Sequence, residues 1–336
     1  MPKNDFPVQG RLVVVTGGSR GLGLAVGRQL AEKGANVVIV ARDHDRLTQG
    51  IEHIRQGASN PKTQRFHQIS ADLTLAPEAV RVINEVVSWN SGNPPDIVWC
   101  CAGISRPRLF IDTLVSDFGA QMNTNYFTGL HMVHATLKCW LKSSPKDTLN
   151  EPGAQLSTPP LARHIIFTSS FLAFFGFAGY TAYSPAKAAI RALADTLSQE
   201  LGLYAAANPH EPHVRVHAVF PATIQGQALD IENEYKAGIT KKLEEGDAPQ
   251  APELIATKAL KALEGGQEII TTDILTSLVR RSMLGGSIRG GVLAAIWDWF
   301  LAGIMAFVMI LVRGDMDKKT KEWGRKFGAS GNKHDA

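Results

Sequence analysis

Cysteine is scarce in this chain: three in 336 residues, at positions 100, 101 and 139. They show no metal-ligand spacing, and adjacent cysteines rarely bridge. That excludes a disulfide framework and reads as reduced thiols in a cytosolic setting. The histidines are scattered and offer no metal site, and no internal repeat is visible. Met1 to Gly10 is polar and lacks a signal-peptide core. Net charge is only +4 and gathers toward the C-terminus, which gives no case for nucleic acid. Against these absences stand a hydrophobic content of 44% and a charged content of 20%. These allow a sizeable core, in one large domain or two small ones.

The chemistry concentrates in His164 to Lys187. The apolar run Ile165-Ile166-Phe167 has the character of a buried strand in a parallel sheet. It ends in small hydroxyls, Thr168, Ser169 and Ser170, and ligands of open α/β sheets sit just beyond such strand ends. Tyr183 and Lys187 then open an Ala-rich helix four residues apart, on one face. A free phenol titrates near ~10, too high for efficient proton exchange at neutral pH. A fixed ammonium nearby favours the phenolate and lowers that value. With a serine hydroxyl holding a carbonyl oxygen, the set can protonate a ketone as it receives a hydride. Alone, a Y-x-x-x-K pair is an ordinary helix pair; the strand end and a second motif give it weight.

That second motif lies near the start. The strand Arg11 to Val15 runs into Thr16-Gly17-Gly18-Ser19-Arg20-Gly21-Leu22-Gly23, followed by an amphipathic helix. Strand, glycine turn and helix make a pyrophosphate site of backbone N–H groups and helix dipole. A second strand, Asn36 to Val40, ends in Ala41-Arg42. An arginine there suits a ribose 2′-phosphate, where an acidic residue would suit a free hydroxyl. Arg20 adds a second cation, so the expected cofactor is NADPH. A third strand, Arg65 to Ser70, leads to Asp72 and Leu73. Asp72 is read either as an acceptor for an adenine amino group or as a helix N-cap, and the backbone there meets adenine either way. A fourth strand from Asp96 ends in Cys100-Cys101-Ala102-Gly103, where small residues admit ribose or nicotinamide. The cysteines are read as packing, not redox, groups.

Phe118 to Leu137 reads as one long helix. Within it a buried Asn125 needs a bonding role, while Asn123 reads as capping or surface. Residues 143 to 163, rich in Ser, Pro and Lys, read as a surface excursion. A sixth strand covers Val214 to Phe220. Residues 225 to 250 are polar and weakly patterned, and their position after that strand suggests a mobile substrate lid. A helix from Pro252 to Leu263 and a seventh strand, Glu268 to Thr272, follow.

Over about residues 8 to 275 the chain resembles the short-chain dehydrogenase/reductase family. The resembling motifs are the Thr16–Gly23 turn, Cys100-Cys101-Ala102-Gly103, Asn125, Ser170 and Tyr183-Ser184-Pro185-Ala186-Lys187. The resemblance implies a Rossmann-type, doubly wound, seven-stranded parallel sheet with helices on both faces. It implies Tyr183 as acid/base, Ser170 (not Ser169, from the family's spacing) orienting the carbonyl, and Lys187 holding the nicotinamide ribose while tuning Tyr183. Asn125 would keep a water in a proton relay. The implied cofactor contacts are Gly17, Ser19, Arg20, Gly21, Leu22, Gly23, Arg42, Asp72, Leu73, Ala102, Gly103, Tyr183, Lys187 and Ile224. Two departures stand out. Cys100-Cys101 replaces the family's usual Asn-Asn, removing bonds between neighbouring strands. Ala222 and Gly226 replace a glycine and a threonine, which alters the grip near Ile224. Related folds pair through the helix holding Tyr183 and the one before it, which implies a homodimer or homotetramer.

Within the family the fourth strand end, the insertion and the C-terminal extension are similar to a fungal branch that reduces a sphingoid ketone, 3-ketosphinganine, with NADPH. That implies an endoplasmic reticulum membrane location with the catalytic domain facing the cytosol. Other membrane-associated reductases, of 3-ketoacyl, steroid or retinoid substrates, and a non-catalytic dinucleotide scaffold remain alternatives. The expected division is a reductase domain, 1–275, and an extension, 276–336. Within the extension, 291–312 is apolar but for Asp298, and long enough to span a bilayer. A central carboxylate is costly in a bilayer. Basic residues flank both sides: Arg280, Arg281 and Arg289 before, Arg313, Lys318, Lys319 and Lys321 after. A simple span would put one basic cluster on the wrong side. The expectation is therefore an interfacial or re-entrant segment bent near Asp298 to Gly303. The alternative is a buried dimerisation helix.

Overall fold

Runs of β-branched residues between turns form strands here, and the amphipathic stretches between them form helices. A computed structural model describes residues 4–142, 160–208, 210–283 and 291–327. Of the expected insertion only 160–163 falls within them, and Arg289 lies outside. The order is β1 (Leu12–Thr16), α1 (Gly21–Glu32), β2 (Asn36–Ala41), α2 (His44–Arg55), β3 (Phe66–Ser70), α3 (Ala76–Trp89) and β4 (Ile97–Cys100). Then come α4 (Val115–Met122), a π-helical turn (Asn123–Phe127), α5 (Thr128–Lys142), β5 (Arg163–Thr168), α6 (Ser184–Ala207) and β6 (Val214–Phe220). The chain continues through α7 (Gln227–Tyr235), α8 (Gly238–Leu243), α9 (Pro252–Glu264), β7 (Ile269–Thr271), α10 (Ile274–Ser282) and α11 (Val292–Phe327).

The strands form one seven-stranded sheet, order β3-β2-β1-β4-β5-β6-β7, with every pairing parallel. Strand alternation splits the core between the two faces. Val13, Val15, Ile39 and Trp99 join α1, α2 and α9 on one side; Val14, Val40, Val98 and Phe167 join α3, α5 and α6 on the other. The central strands β1 and β4 are buried throughout. The winding reverses between β1 and β4, which opens a crevice at their carboxyl ends.

Two expectations are refined and one is overturned. The long helix containing Asn123 and Asn125 is continuous from Val115 to Lys142 and holds a π-turn, an extra residue per turn that aims Asn125 inward. Residues 225–250, polar and weakly patterned in sequence, carry α7 and α8, tied by a buried Lys236 between Glu232 (3.1 Å) and Glu244 (2.7 Å). The tail is not bent at Asp298 to Gly303, because α11 runs through that stretch unbroken. Asp298 is buried and paired with Arg281 (3.1 Å) and Arg280 (3.9 Å) of α10, so its charge is neutralised within the protein and no break is needed. Thr276 and Val279 of α10 are buried.

Candidate active site

A cleft of about 2230 Å³ lies over the carboxyl ends of the strands. Its floor at the winding reversal is set by backbone approach. Gly17 has φ +66°, and a Cβ there would meet Ala102 N at 2.8 Å; a Cβ on Gly23 would lie 2.3 Å from Gly17 O. Neither clash can be relieved by a side-chain movement, so only glycine keeps this turn against the first helix. The turn is a backbone cradle at the start of α1, suited to a pyrophosphate.

Beside it lie Ser19, Arg20, Leu22, Arg42 and Arg46, all lining the cleft. Burial holds the Arg20 guanidinium below its usual range, and the neighbouring charges of Arg46 and Arg42 push it further down. Such crowding of like charge would be relieved by an anion. Arg46 was not singled out from the sequence, because it fits an ordinary first helical turn; it bonds back to Asp43, the cap of α2. Asp72 and Leu73 also line the cleft. Asp72 is not the N-cap of α3, a position held by Leu75. Its carboxylate accepts from Thr74 N (3.1 Å) and Thr74 Oγ1 (2.8 Å), closing a local turn.

Ser170, Tyr183 and Lys187 meet at the end of β5, all on the cleft wall. Ser170 and Tyr183 are neighbours on that wall, and the serine hydroxyl acts on the phenol. Ser169 is buried and donates to Lys187 O (2.8 Å), pinning α6 to the strand. Lys187 is buried; its Nζ donates to Thr168 O (3.0 Å) and sits 5.5 Å from the Tyr183 ring centroid. Burial lowers the Lys187 pKa to about 8. The Tyr183 phenol is raised by burial and then by the Glu232 charge, while the Ser170 hydroxyl pulls it down. With Nζ turned to a carbonyl, the lowering expected from the lysine does not outweigh those effects in this arrangement.

Asn125 alone among the candidate residues is absent from the cleft wall. It lies just behind. Its Oδ1 accepts from Ile104 N (3.0 Å), and its Nδ2 donates to Ile104 O (2.8 Å) and Gln121 O (2.9 Å). Its amide therefore holds the strand-end backbone at Gly103-Ile104. Gly103 has no room for a side chain, since a Cβ would sit 2.8 Å from that same Oδ1. Cys101 restores one tie between strand ends: its Sγ accepts from Thr168 Oγ1 (3.4 Å). Burial pushes the Cys101 thiol up to about 12 and that of Cys100 higher still, so both are inert packing groups. Ile224 is held by a bridge to Gln250.

A polar group that sequence reading missed adjoins Tyr183. Tyr180 OH bonds to Glu232 (2.7 Å) and Glu244 (2.5 Å), the carboxylates that clamp Lys236. Tyr180 lies 52 and 64 positions from the two carboxylates, so spacing could not disclose the contact. Only the polarity of α7 and α8 was visible.

The cleft continues past these residues to α10 and α11, where Leu275, Val279, Met305, Val308, Met309 and Val312 line it. Among the described residues one helix, Val292–Trp323, is long and apolar enough to cross a membrane, with a mean hydropathy of 2.1. It is the candidate for membrane association.

A family described as short chain dehydrogenase matches residues 11–148 and 161–236. The chain is 47% identical over 332 residues to a 3-ketodihydrosphingosine reductase of Aspergillus fumigatus, covering 97% of this chain and 88% of that one. It is 38% identical over 328 residues to a protein of the same description from Neurospora crassa, covering 97% and 86%. Among solved structures, a dehydrogenase/reductase from Sinorhizobium meliloti superposes with a TM-score of 0.60 at 23% identity, covering 79% of this chain and 94% of that one. That likeness bears on the fold.

Proposed function

The chain belongs to the short-chain dehydrogenase family, and from that premise we propose that it reduces the ketone of 3-ketodihydrosphingosine with NADPH. A nicotinamide dinucleotide, when bound, supplies the hydride taken up at the ketone carbon. Everything else falls to side chains of this protein. Tyr183 donates its phenolic proton to the ketone oxygen, and Ser170 holds that oxygen beside the phenol. Lys187 holds the nicotinamide ribose and restrains negative charge on the phenol once the proton has left. Asn125 acts at one remove, by fixing the Gly103-Ile104 backbone against which the ribose side of the cofactor rests.

The observation that carries the reading is the convergence of Ser170, Tyr183 and Lys187 on one cleft wall. The preference for NADPH is supported by Arg20, Arg42 and Arg46 around the end of β2, a cluster suited to a ribose 2′-phosphate. Gly17, Gly21, Gly23, Asp72, Leu73, Ala102 and Ile224 complete the proposed cofactor contacts. The substrate class is supported by the identity to the fungal reductases along nearly the whole chain. We read α7 and α8 as the cover over the substrate, and α11 as the association of this chain with the endoplasmic reticulum membrane, its catalytic body in the cytosol. A dimer or tetramer through α5 and α6 belongs to the same reading; the exposed Leu203 of α6 supports it.

The test is NADPH consumption by the purified full chain with 3-ketodihydrosphingosine beside a short soluble ketone. Turnover of the sphingoid ketone, and a fall in kcat of about 10²- to 10⁴-fold in Tyr183→Phe with NADPH affinity retained, are expected. Turnover preserved in Tyr183→Phe would refute the assignment of the proton donor.

A further inference from the structure

We infer that the cleft-facing side of α11, through Met305, Val308, Met309 and Val312, forms with Leu275 and Val279 of α10 the channel that holds the substrate's alkyl chain. This rests on the sphingoid reading above and names the part of the molecule that recognises the tail.

One cavity carries the argument. The cleft lined by Ser170 and Tyr183 is also lined by these six apolar side chains. Their spacing on α11 is i, i+3, i+4 and i+7, a single helix face. Exposure is 65%, 68% and 60% at Phe307, Ile310 and Leu311 between them, against 7%, 36% and 40% at Met305, Val308 and Val312. A helix apolar all round is suited to apolar surroundings on every side. Here one side faces the cleft and the other faces away from the body.

The rotation of α11 is fixed. Asp298 stands seven residues before Met305, on the same face, and is paired with Arg280 and Arg281. With that carboxylate held against α10, Met305 is carried inward, where it is 7% exposed. From Met305 to Val312 the wall runs about 10 Å at the rise of an α-helix. Beyond it the stripe turns polar, with Lys319 bonded to Asp315 at 2.7 Å. Two methionines suit a flexible chain, since their side chains repack around an irregular apolar guest. The occupant is the alkyl chain joined to the reacting ketone, because Tyr183 and these apolar side chains line one and the same cleft.

The test uses the full chain in detergent micelles, so that membrane binding is not limiting. Met305→Trp and Met309→Trp are assayed with 3-ketodihydrosphingosine and with an analogue whose tail is cut to a few carbons. Filling the channel should lower kcat/KM for the long ketone roughly tenfold or more. For the truncated ketone it should leave kcat/KM within about twofold, a change worth less than about 0.5 kcal/mol. Phe307→Ser and Leu311→Ser, on the outer face, should alter neither. Equal loss for both ketones, or none, would overturn the inference. Retained NADPH affinity reports that the Trp variants are folded. A long alkyl chain bearing a photoreactive diazirine provides a second reading without turnover. Label on 305–312 supports the channel, and label confined to the outer face overturns it. If the wild-type chain turns over neither ketone, the substrate reading has failed, and the photolabel still decides the channel.

Discussion

The two walls of the cleft are built from different material. The wall over β1, β2 and β4 is largely backbone: glycines at van der Waals limits, strand ends and a helix start, with arginines at its rim. The wall formed by α7, α8, α10 and α11 is side chain, with a polar clamp at one end and methionine and valine at the other. A backbone wall accommodates one shape and tolerates little change. A side-chain wall can be retailored residue by residue without disturbing the sheet. The common chemistry of a ketone reductase needs the first, and choice of substrate needs the second.

The largest effect should come from breaking the backbone wall. Gly23→Val places carbon against Gly17 O, which has no freedom to move. Dinucleotide binding should be lost by fluorescence titration, whereas Val308→Ala on the opposite wall should leave it unchanged. Next, Arg42→Ala should raise the KM for NADPH by about 10- to 100-fold, the worth of a charge-assisted bond to phosphate. The KM for NADH should scarcely move, and an equal change for both would show that Arg42 acts through the fold.

A third prediction concerns what lies beneath both walls. His164 Nδ1 and His217 Nε2 are 3.0 Å apart, and His217 Nδ1 is bonded to Gln267 O. Burial lowers His164 to about 2 and His217 to about 4. The folded pair therefore stays neutral where the unfolded chain takes up protons. Stability is full above about pH 6.5 and declines below it, by about 1.4 kcal/mol per histidine for each pH unit. The His217 contribution levels off below about 4. Thermal melts between pH 7 and 4.5 should show this slope, and His217→Gln should flatten it. The smallest effect expected is a pH shift at the side-chain wall. Glu232 raises the Tyr183 pKa. Glu232→Gln should move the basic limb of the kcat profile to lower pH, since the proton donor then ionises sooner.

The same division governs what the sequence discloses. The backbone wall is local: strand, glycine turn and helix succeed one another within one stretch, and Tyr183 and Lys187 share a helix face by spacing alone. Seven strands were legible for the same reason. The side-chain wall is not local. Tyr180 meets Glu244 across 64 positions, and no periodicity connects them. Asp298 reads as a break in an apolar segment until Arg280 and Arg281 are seen beside it. Arg46 looked like any charged residue in an opening helical turn. The π-turn left one trace, two asparagines where a helix would favour neither.

That turn fixes a length. An α-helix advances about 100° per residue, so deleting a single position between 123 and 127 would rewind the segment and swing Asn125 away from Ile104. Every residue of α5 beyond it would be re-phased against the sheet. Changes of identity on the outer surface of this segment can be absorbed; a change in the number of its residues cannot. A deletion scan across the molecule should find its sharpest boundary here, well before any residue that meets the substrate.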